Sequence, residues 1–168
     1  MPEWTQAPIT DPDFNNALEA ERERVQGLVR LAGASWSAAM RAHKLAPPDE
    51  GFASRLRGLA EAAGAEHMAW QEASHAGMQW RPVEGAERAI PPYELRPGTG
   101  RRGPEQLWRQ FDDAIGAMNL AISGGSTEDV AQAFGAVSRV TAELAAAVAE
   151  EDLIRQAARP QADSRQVA

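Results

Sequence analysis

The segment at residues 79–103 divides the chain into two halves and limits the folds available to it. It contains Pro82, Pro91, Pro92 and Pro97 together with four glycines. Proline lacks an amide hydrogen and glycine is costly in a helix interior, so this segment cannot form a long helix. No alternation of apolar and polar residues runs through it to indicate a strand. We therefore predict an ordered, extended crossover between two helical halves.

The first half is predicted to contain an irregular arm at residues 1–12 and then two helices. The first helix is expected over about residues 13–44, with a possible break at 33–35, and the second over about 49–76. Each predicted helix carries apolar residues at spacings near 3.6. The two stripes consist of Phe14, Leu18, Val25, Leu28 and Leu31 or Ala32 on the first helix, and Phe52, Leu56, Leu59, Ala63 and Trp70 on the second.

The second half is also predicted to form two helices, over residues 104–123 and 127–157. Gly124 and Gly125 end the first of these, and the acidic run that follows Ser126 is typical of a helix start. We expect Pro160 to end the last helix, with a frayed tail at 159–168. The last helix has an apolar seam with steps of four and three residues, namely Val130, Phe134, Val137, Thr141, Leu144 and Val148.

These elements predict an all-α fold. Two helical hairpins form a single domain at residues 13–158, and the crossover joins them. At ~3.3 Å per extended residue, the crossover is long enough to travel the length of a bundle. A four-helix bundle with one long connection is the architecture that fits this order.

Composition excludes several classes of function. The net charge is −7, which disfavours nucleic acid and anionic membranes as bulk partners of this acidic protein. The chain has no cysteine, so disulfides, thiol nucleophiles and thiolate metal sites are excluded. The N-terminus does not resemble a signal peptide and no apolar stretch approaches ~20 residues, so we expect a cytoplasmic protein. Frequent Ala and Arg with a single Lys suggests a GC-rich bacterial gene.

The histidines do not predict a metal site. Glu72 and His75 have the Glu-x-x-His spacing found in di-iron bundles, but those bundles need two such motifs and two further glutamates. The two helices of the second half contain no histidine. Nothing resembles a nucleophile elbow or a Walker loop. We therefore name no metal, cofactor or catalytic residue, and lean away from an enzyme.

The crossover holds the strongest local indication of recognition. It combines aromatic and arginine side chains, which are frequent at the energetic centres of protein interfaces. Its last part is basic and rich in glycine, and it directly precedes a predicted helix start, where backbone amides can bind an anion. The candidate partner-binding or anion-binding residues are Trp80, Arg81, Tyr93, Arg96, Arg101 and Arg102. The arginines could instead pair with acidic residues nearby.

Our leading hypothesis is a non-enzymatic helical interaction or regulatory protein, with a homodimer as one form, that binds a protein or acidic partner through the crossover. The alternative is a small-molecule-binding or enzymatic bundle with a site between helices that the crossover closes. Its candidate lining residues, beside Tyr93, are Trp36, His43, Trp70, His75 and Trp108.

A third hypothesis is a DNA-associated regulator. Residues 35–63 can be arranged as a helix–turn–helix with Arg55 and Arg57 on its second helix. Pro47 and Pro48 in the turn and the acidic net charge both argue against it.

Overall fold

The structure, a computed structural model, describes residues 12–45, 51–78 and 102–166. Every regular element in these three ranges is an α-helix, which confirms the all-α, bundle-like prediction. The helices are α1 Pro12–Leu45, α2 Phe52–His75, α3 Glu105–Gly124 and α4 Thr127–Gln166. Residues 1–11 of the predicted arm and residues 79–101 of the predicted crossover lie outside the described residues. Within the described ranges, no helix has an apolar stretch of the length needed to cross a membrane.

Helix α1 runs without interruption through residues 33–35, so the prediction of a possible break there is wrong. Ala32 and Trp36 on either side are 5% and 3% exposed and lie on the same face of α1. Because both pack into the core in helical register, their burial offsets the roughly 1 kcal/mol that Gly33 costs in a helix interior.

Helix α4 continues to Gln166, so the prediction that it ends near residue 157 is wrong. Pro160 removes one amide donor, but the preceding residues from Leu153 to Arg159 are exposed to solvent. Solvent can hydrate the carbonyl that the missing donor leaves free, so a proline costs less here than in a packed segment. At 1.5 Å per residue, the 40 residues of α4 span about 60 Å.

The α1–α2 hairpin and the α3–α4 hairpin pack against each other through α2 and α4. Helix α2 contacts both α1 and α4, and α4 also contacts α3. The Ser138 hydroxyl of α4 donates to the carbonyl of Ala60 at 2.8 Å, and His67 Nδ1 of α2 donates to the carbonyl of Ala131 at 2.6 Å. Residue numbers rise along α2 as they fall along α4, so these two helices are antiparallel. Helices α2 and α4 therefore form the centre of the bundle.

The core confirms the predicted seam of α4. All six seam residues, from Val130 to Val148, are at most 3% exposed. On α3, Trp108, Phe111, Ile115 and Met118 are buried as their spacing predicts. Ring contacts link the helices, with the Trp36 and Phe134 centroids 5.5 Å apart in an edge-to-face arrangement. Burial of these large apolar side chains is the main source of stability for the bundle.

Small residues allow α2 and α4 to approach closely. A Cβ atom added to Gly64 would lie 3.2 Å from the Ser138 hydroxyl, and one added to Gly135 would lie 2.8 Å from His67 Nδ1. The second distance is shorter than real Cβ contacts, so only glycine fits at position 135 without a shift of its neighbours. The two helix backbones are therefore held together by contacts that larger residues would prevent.

The described chain leaves α2 and enters α3 at opposite ends of the bundle. After α2, the Met78 carbonyl accepts a hydrogen bond from Thr127 at the start of α4. Before α3, Gly103 lies against Val148, far along α4, and adopts a φ of +108° that favours glycine. The two points are ~30 Å apart along α4.

The start of α4 is closed by a reciprocal cap, in which Ser126 and Asp129 each bind the other's backbone amide.

Candidate functional site

The predicted site in the crossover falls mostly outside the described residues. This applies to Trp80, Arg81, Tyr93, Arg96 and Arg101, whose role stays a prediction.

Arg102 is the one member of that predicted site within the described ranges. Its guanidinium donates to the carboxylate of Asp152, and its carbonyl accepts a 2.9 Å hydrogen bond from the Trp108 indole. The Arg102 and Asp152 side chains are only 12% and 23% exposed. Arg102 thus ties the entry of α3 to α4, and this matches the interpretation in which an arginine pairs with a nearby acid.

The alternative pocket residues are mostly in the core. Trp36, His43, Trp70 and Trp108 are each at most 5% exposed, whereas His75 is exposed at the end of α2. The structure therefore separates His75 from the four buried side chains.

Aromatic packing joins two of those buried side chains through Phe52. The Phe52 ring centroid lies 5.8 Å from that of His43 and 6.2 Å from that of Trp108. Trp108 also meets Phe111 edge to face at 5.3 Å. This cluster brings together α1, α2 and α3 near one end of the bundle, and its contacts are those of core packing.

Glu66 is a buried acidic residue that sequence reasoning missed. It is 2% exposed and its carboxylate accepts a 2.7 Å hydrogen bond from the Trp70 indole, one turn further along α2. A buried carboxylate is costly unless it is hydrogen-bonded, and the indole supplies such a bond. The sequence does contain a signal, because Glu66 continues the apolar stripe of α2 between Ala63 and Trp70.

Within the described residues, the Glu-x-x-His motif is not part of a cluster of metal ligands. Glu72 binds Arg24 of α1 at 2.7 Å, while His75 points away from the core and is exposed. Among the residues that the structure describes, no three histidine or acidic side chains converge in a way that could hold a metal ion.

Comparisons with protein families, with curated proteins and with solved structures find no match to this chain. The candidate site therefore depends on the geometry of the described residues.

An apolar groove lies on the outer side of the bundle between α1 and α2. It has a volume of about 300 Å³ and opens to solvent. Leu31 of α1 and Met68 of α2 stand on its edges and are 68% and 60% exposed. The α1–α2 groove is lined by Leu28, Leu31, Ala32, Ser35, Ala65, Met68, Ala69 and Glu72. Large apolar side chains grouped in this way on a surface mark a binding site more often than single exposed ones do.

Helix α1 extends beyond the rest of the described bundle. Every residue from 12 to 24 is exposed, and Val25 is the first buried one. Phe14 and Leu18, which the sequence placed on the buried stripe, are 44% and 45% exposed. Because α2 ends close to the level of Arg24, it cannot cover them. The part of α1 at residues 12–24, here called the α1 extension, is about 18 Å of helix with apolar side chains in solvent.

An ion pair joins the α1 extension to the end of the groove. The Arg24 guanidinium binds Glu21 at 2.6 Å and Glu72 at 2.7 Å. The hydrogen bond from Arg24, aided by its positive charge, lowers the pKa of the Glu21 carboxyl. The hydrogen bonds to Glu21 and Glu72 raise the pKa of Arg24. The guanidinium is thus held as a fixed positive charge between two carboxylates on the surface.

The groove and the extension together suit an apolar, helical partner. The groove walls are two antiparallel helices, so it can receive side chains spaced along a third helix. Its polar lining is limited to Ser35 and Glu72 at its edges, and a small polar ligand would find few groups to orient it. The arrangement can bury apolar surface, and it places no catalytic pair within the groove.

Proposed function

We propose that this chain is a non-enzymatic helical interaction protein whose binding surface is the α1–α2 groove together with the α1 extension. The exposed pair Leu31 and Met68 at the edges of a 300 Å³ apolar groove is the observation that carries the proposal. Burying each apolar side chain contributes roughly 25 cal/mol per Å² of surface removed from water, so a partner that covers both gains binding energy there.

The proposal specifies a protein partner and assigns the anionic ligand a lesser part. Arg102, a predicted anion-binding residue, is engaged with Asp152. The groove is apolar, and its one charged lining residue, Glu72, is paired with Arg24 at one end. The proposal also places the protein in the cytoplasm, in agreement with its cysteine-free sequence.

Photo-crosslinking in cells tests the proposal. A photoreactive amino acid replaces Met68 in the full chain, and a matched variant carries it at Arg139, which is exposed on α4. We expect a discrete protein adduct from position 68 and none of the same mass from position 139. An equal pattern from both positions, or no adduct from position 68, would contradict the groove as a binding surface.

A further inference from the structure

We infer that the partner of the α1–α2 groove is a second copy of this chain, whose α1 packs antiparallel to the first. This inference rests on the proposed function and names the partner for the same surface. It starts from a second seam on α1, which differs from the buried one. The outer seam of α1 has steps of 3, 4, 3, 4 and 3 residues and consists of Phe14, Ala17, Glu21, Arg24, Leu28 and Leu31.

The outer seam is accessible along its whole length. Leu28 is partly buried beside the core, and the other five residues are exposed. Alternating steps of three and four keep these positions on one face of a helix, as in the seam of a coiled coil. The buried seam of α1, with Val25, Val29 and Ala32, occupies the neighbouring face. Helix α1 therefore has one apolar face inside the bundle and a second face outside it, which is apolar at both ends and charged at its centre.

The outer seam is self-complementary when two copies run antiparallel. If the two-fold axis passes between residues 22 and 23, each residue lies opposite the residue of the second copy for which the two residue numbers add up to 45. Phe14 then lies opposite Leu31 of the second copy, and Ala17 opposite Leu28. Phe14 enters the groove between Leu31 and Met68, which is the apolar opening that the structure shows. A two-fold axis makes this contact twice, once for each copy.

The charges in the middle of the seam specify the same register. In antiparallel pairing, Glu21 of each copy lies opposite Arg24 of the other. In parallel pairing in register, Glu21 would meet Glu21 and Arg24 would meet Arg24, which is repulsive. Polar pairs at core positions of coiled coils are a known way to fix register and orientation.

The single chain already orients these charges for pairing. Arg24 is held by Glu21 and Glu72 on the face that carries the groove. Its guanidinium has several donors in a planar fork, so it can keep Glu72 while it binds Glu21 of the second copy. The antiparallel pair therefore requires no unpaired charge at its centre.

Sedimentation velocity on mixed charge variants tests the inference with the full chain. In Glu21→Arg, two Arg–Arg contacts replace the two attractive pairs, and in Arg24→Glu two Glu–Glu contacts replace them. We expect the dissociation constant of each variant alone to rise by about tenfold or more over wild type. An equimolar mixture should dimerise again, because the two arginines of one chain, at positions 21 and 24, then face the two glutamates of the other. Circular dichroism checks that both variants keep their helix content.

Cysteine pairing supplies a second measurement. The chain has no cysteine, so each introduced thiol is the only one. A mixture of Ala17→Cys and Leu28→Cys should form a disulfide-linked dimer on mild oxidation, while Ala17→Cys alone should not, because its two copies lie far from each other across the axis. Equal crosslinking of the single variant and the mixture would overturn the register.

The outcomes separate this inference from the proposed function. If wild type stays monomeric at about 100 µM, a concentration at which even a weak interface would form, self-pairing is overturned. A mixture of the two charge variants that stays monomeric would overturn it as well. If position 68 still crosslinks to a different protein, the groove is a binding surface for that protein and only the second copy is rejected. If position 68 gives no adduct and wild type is monomeric, both are rejected.

Discussion

Helix α2 forms two antiparallel interfaces, one with α4 and one with α1, and the helices pack more closely in the first than in the second. Against α4, it meets the small residues Gly135 and Ser138, and side chains of one helix donate to backbone carbonyls of the other. Against α1, the larger side chains Leu31 and Met68 stand apart and leave a groove of about 300 Å³. Close packing of small residues thus holds the bundle together, while the large apolar residues left at its edge are available for binding.

The same contrast runs along α1. From Val25 onward one face of α1 is buried, whereas the α1 extension before it has no buried residue. A helix that continues beyond its packing partner contributes little to stability there, because its apolar side chains remain in water. In the proposed pair, this segment is the part of α1 that a second copy covers.

A matched pair of leucine truncations should separate the two regions most strongly. Leu144→Ala in the α4 seam removes a side chain that is fully buried, and should lower the free energy of unfolding by about 2–5 kcal/mol. Leu31→Ala at the groove edge, where the side chain is 68% exposed, should change it by less than about 0.5 kcal/mol at a concentration where the chain is monomeric. Urea unfolding measures both. Similar losses would show that the groove edge is part of the core.

A matched pair of glycine substitutions should have an intermediate effect. Gly135→Ala places a methyl group 2.8 Å from His67 Nδ1, so α2 and α4 must separate or His67 must leave the Ala131 carbonyl. We expect a net loss of about 1–2 kcal/mol in the free energy of unfolding, despite the better helix propensity of alanine.

Gly58→Ala on α2 is the control, because nothing lies within 4 Å of the added Cβ atom. It should raise the free energy of unfolding by about 0.5–1 kcal/mol in the same thermal or urea experiment. Stabilisation by both substitutions would contradict the close approach of α2 and α4.

Acid titration of the surface ion pair should have the smallest effect. Because Arg24 lowers the pKa of Glu21 from its ordinary value of 4.5, the pair stabilises the folded chain above pH 4.5. That contribution is lost as the pH falls through the lowered pKa. The melting temperature of Glu21→Gln should therefore be slightly below that of wild type at pH 7, and this difference should shrink as the pH falls below 4.5. A difference that persists at low pH would show that Glu21 acts through something other than its charge.

Much of the fold is predictable because the apolar spacing is regular. The α4 seam steps by three and four residues from Val130 to Val148, and no other helical register buries these residues together. The end of α4 is not predictable in this way. Pro160 is a strong local stop signal, yet the helix runs on to Gln166. A local rule cannot show that the preceding turn is open to solvent.

The candidate site is less predictable, because it depends on where helices end relative to each other. Phe14 and Leu18 belong to the apolar stripe that the sequence predicts for α1, and only the position of α2 shows that they are exposed. Leu31 and Met68 lie on different helices, and the groove between them exists only once those helices pack. The stripe that contains Glu66 is visible in the sequence, but its burial beside Trp70 requires the fold.

Binding of a second copy in the groove can be measured by the reactivity of two introduced thiols as the protein concentration rises. Ala65→Cys lies in the α1–α2 groove and Ala142→Cys lies on α4, and both positions are exposed in the single chain. If a second copy binds the groove, maleimide labelling of Ala65→Cys slows as the concentration increases, while labelling of Ala142→Cys keeps the same rate. Rates that stay constant for both positions across the whole range would contradict the groove as the site of self-pairing.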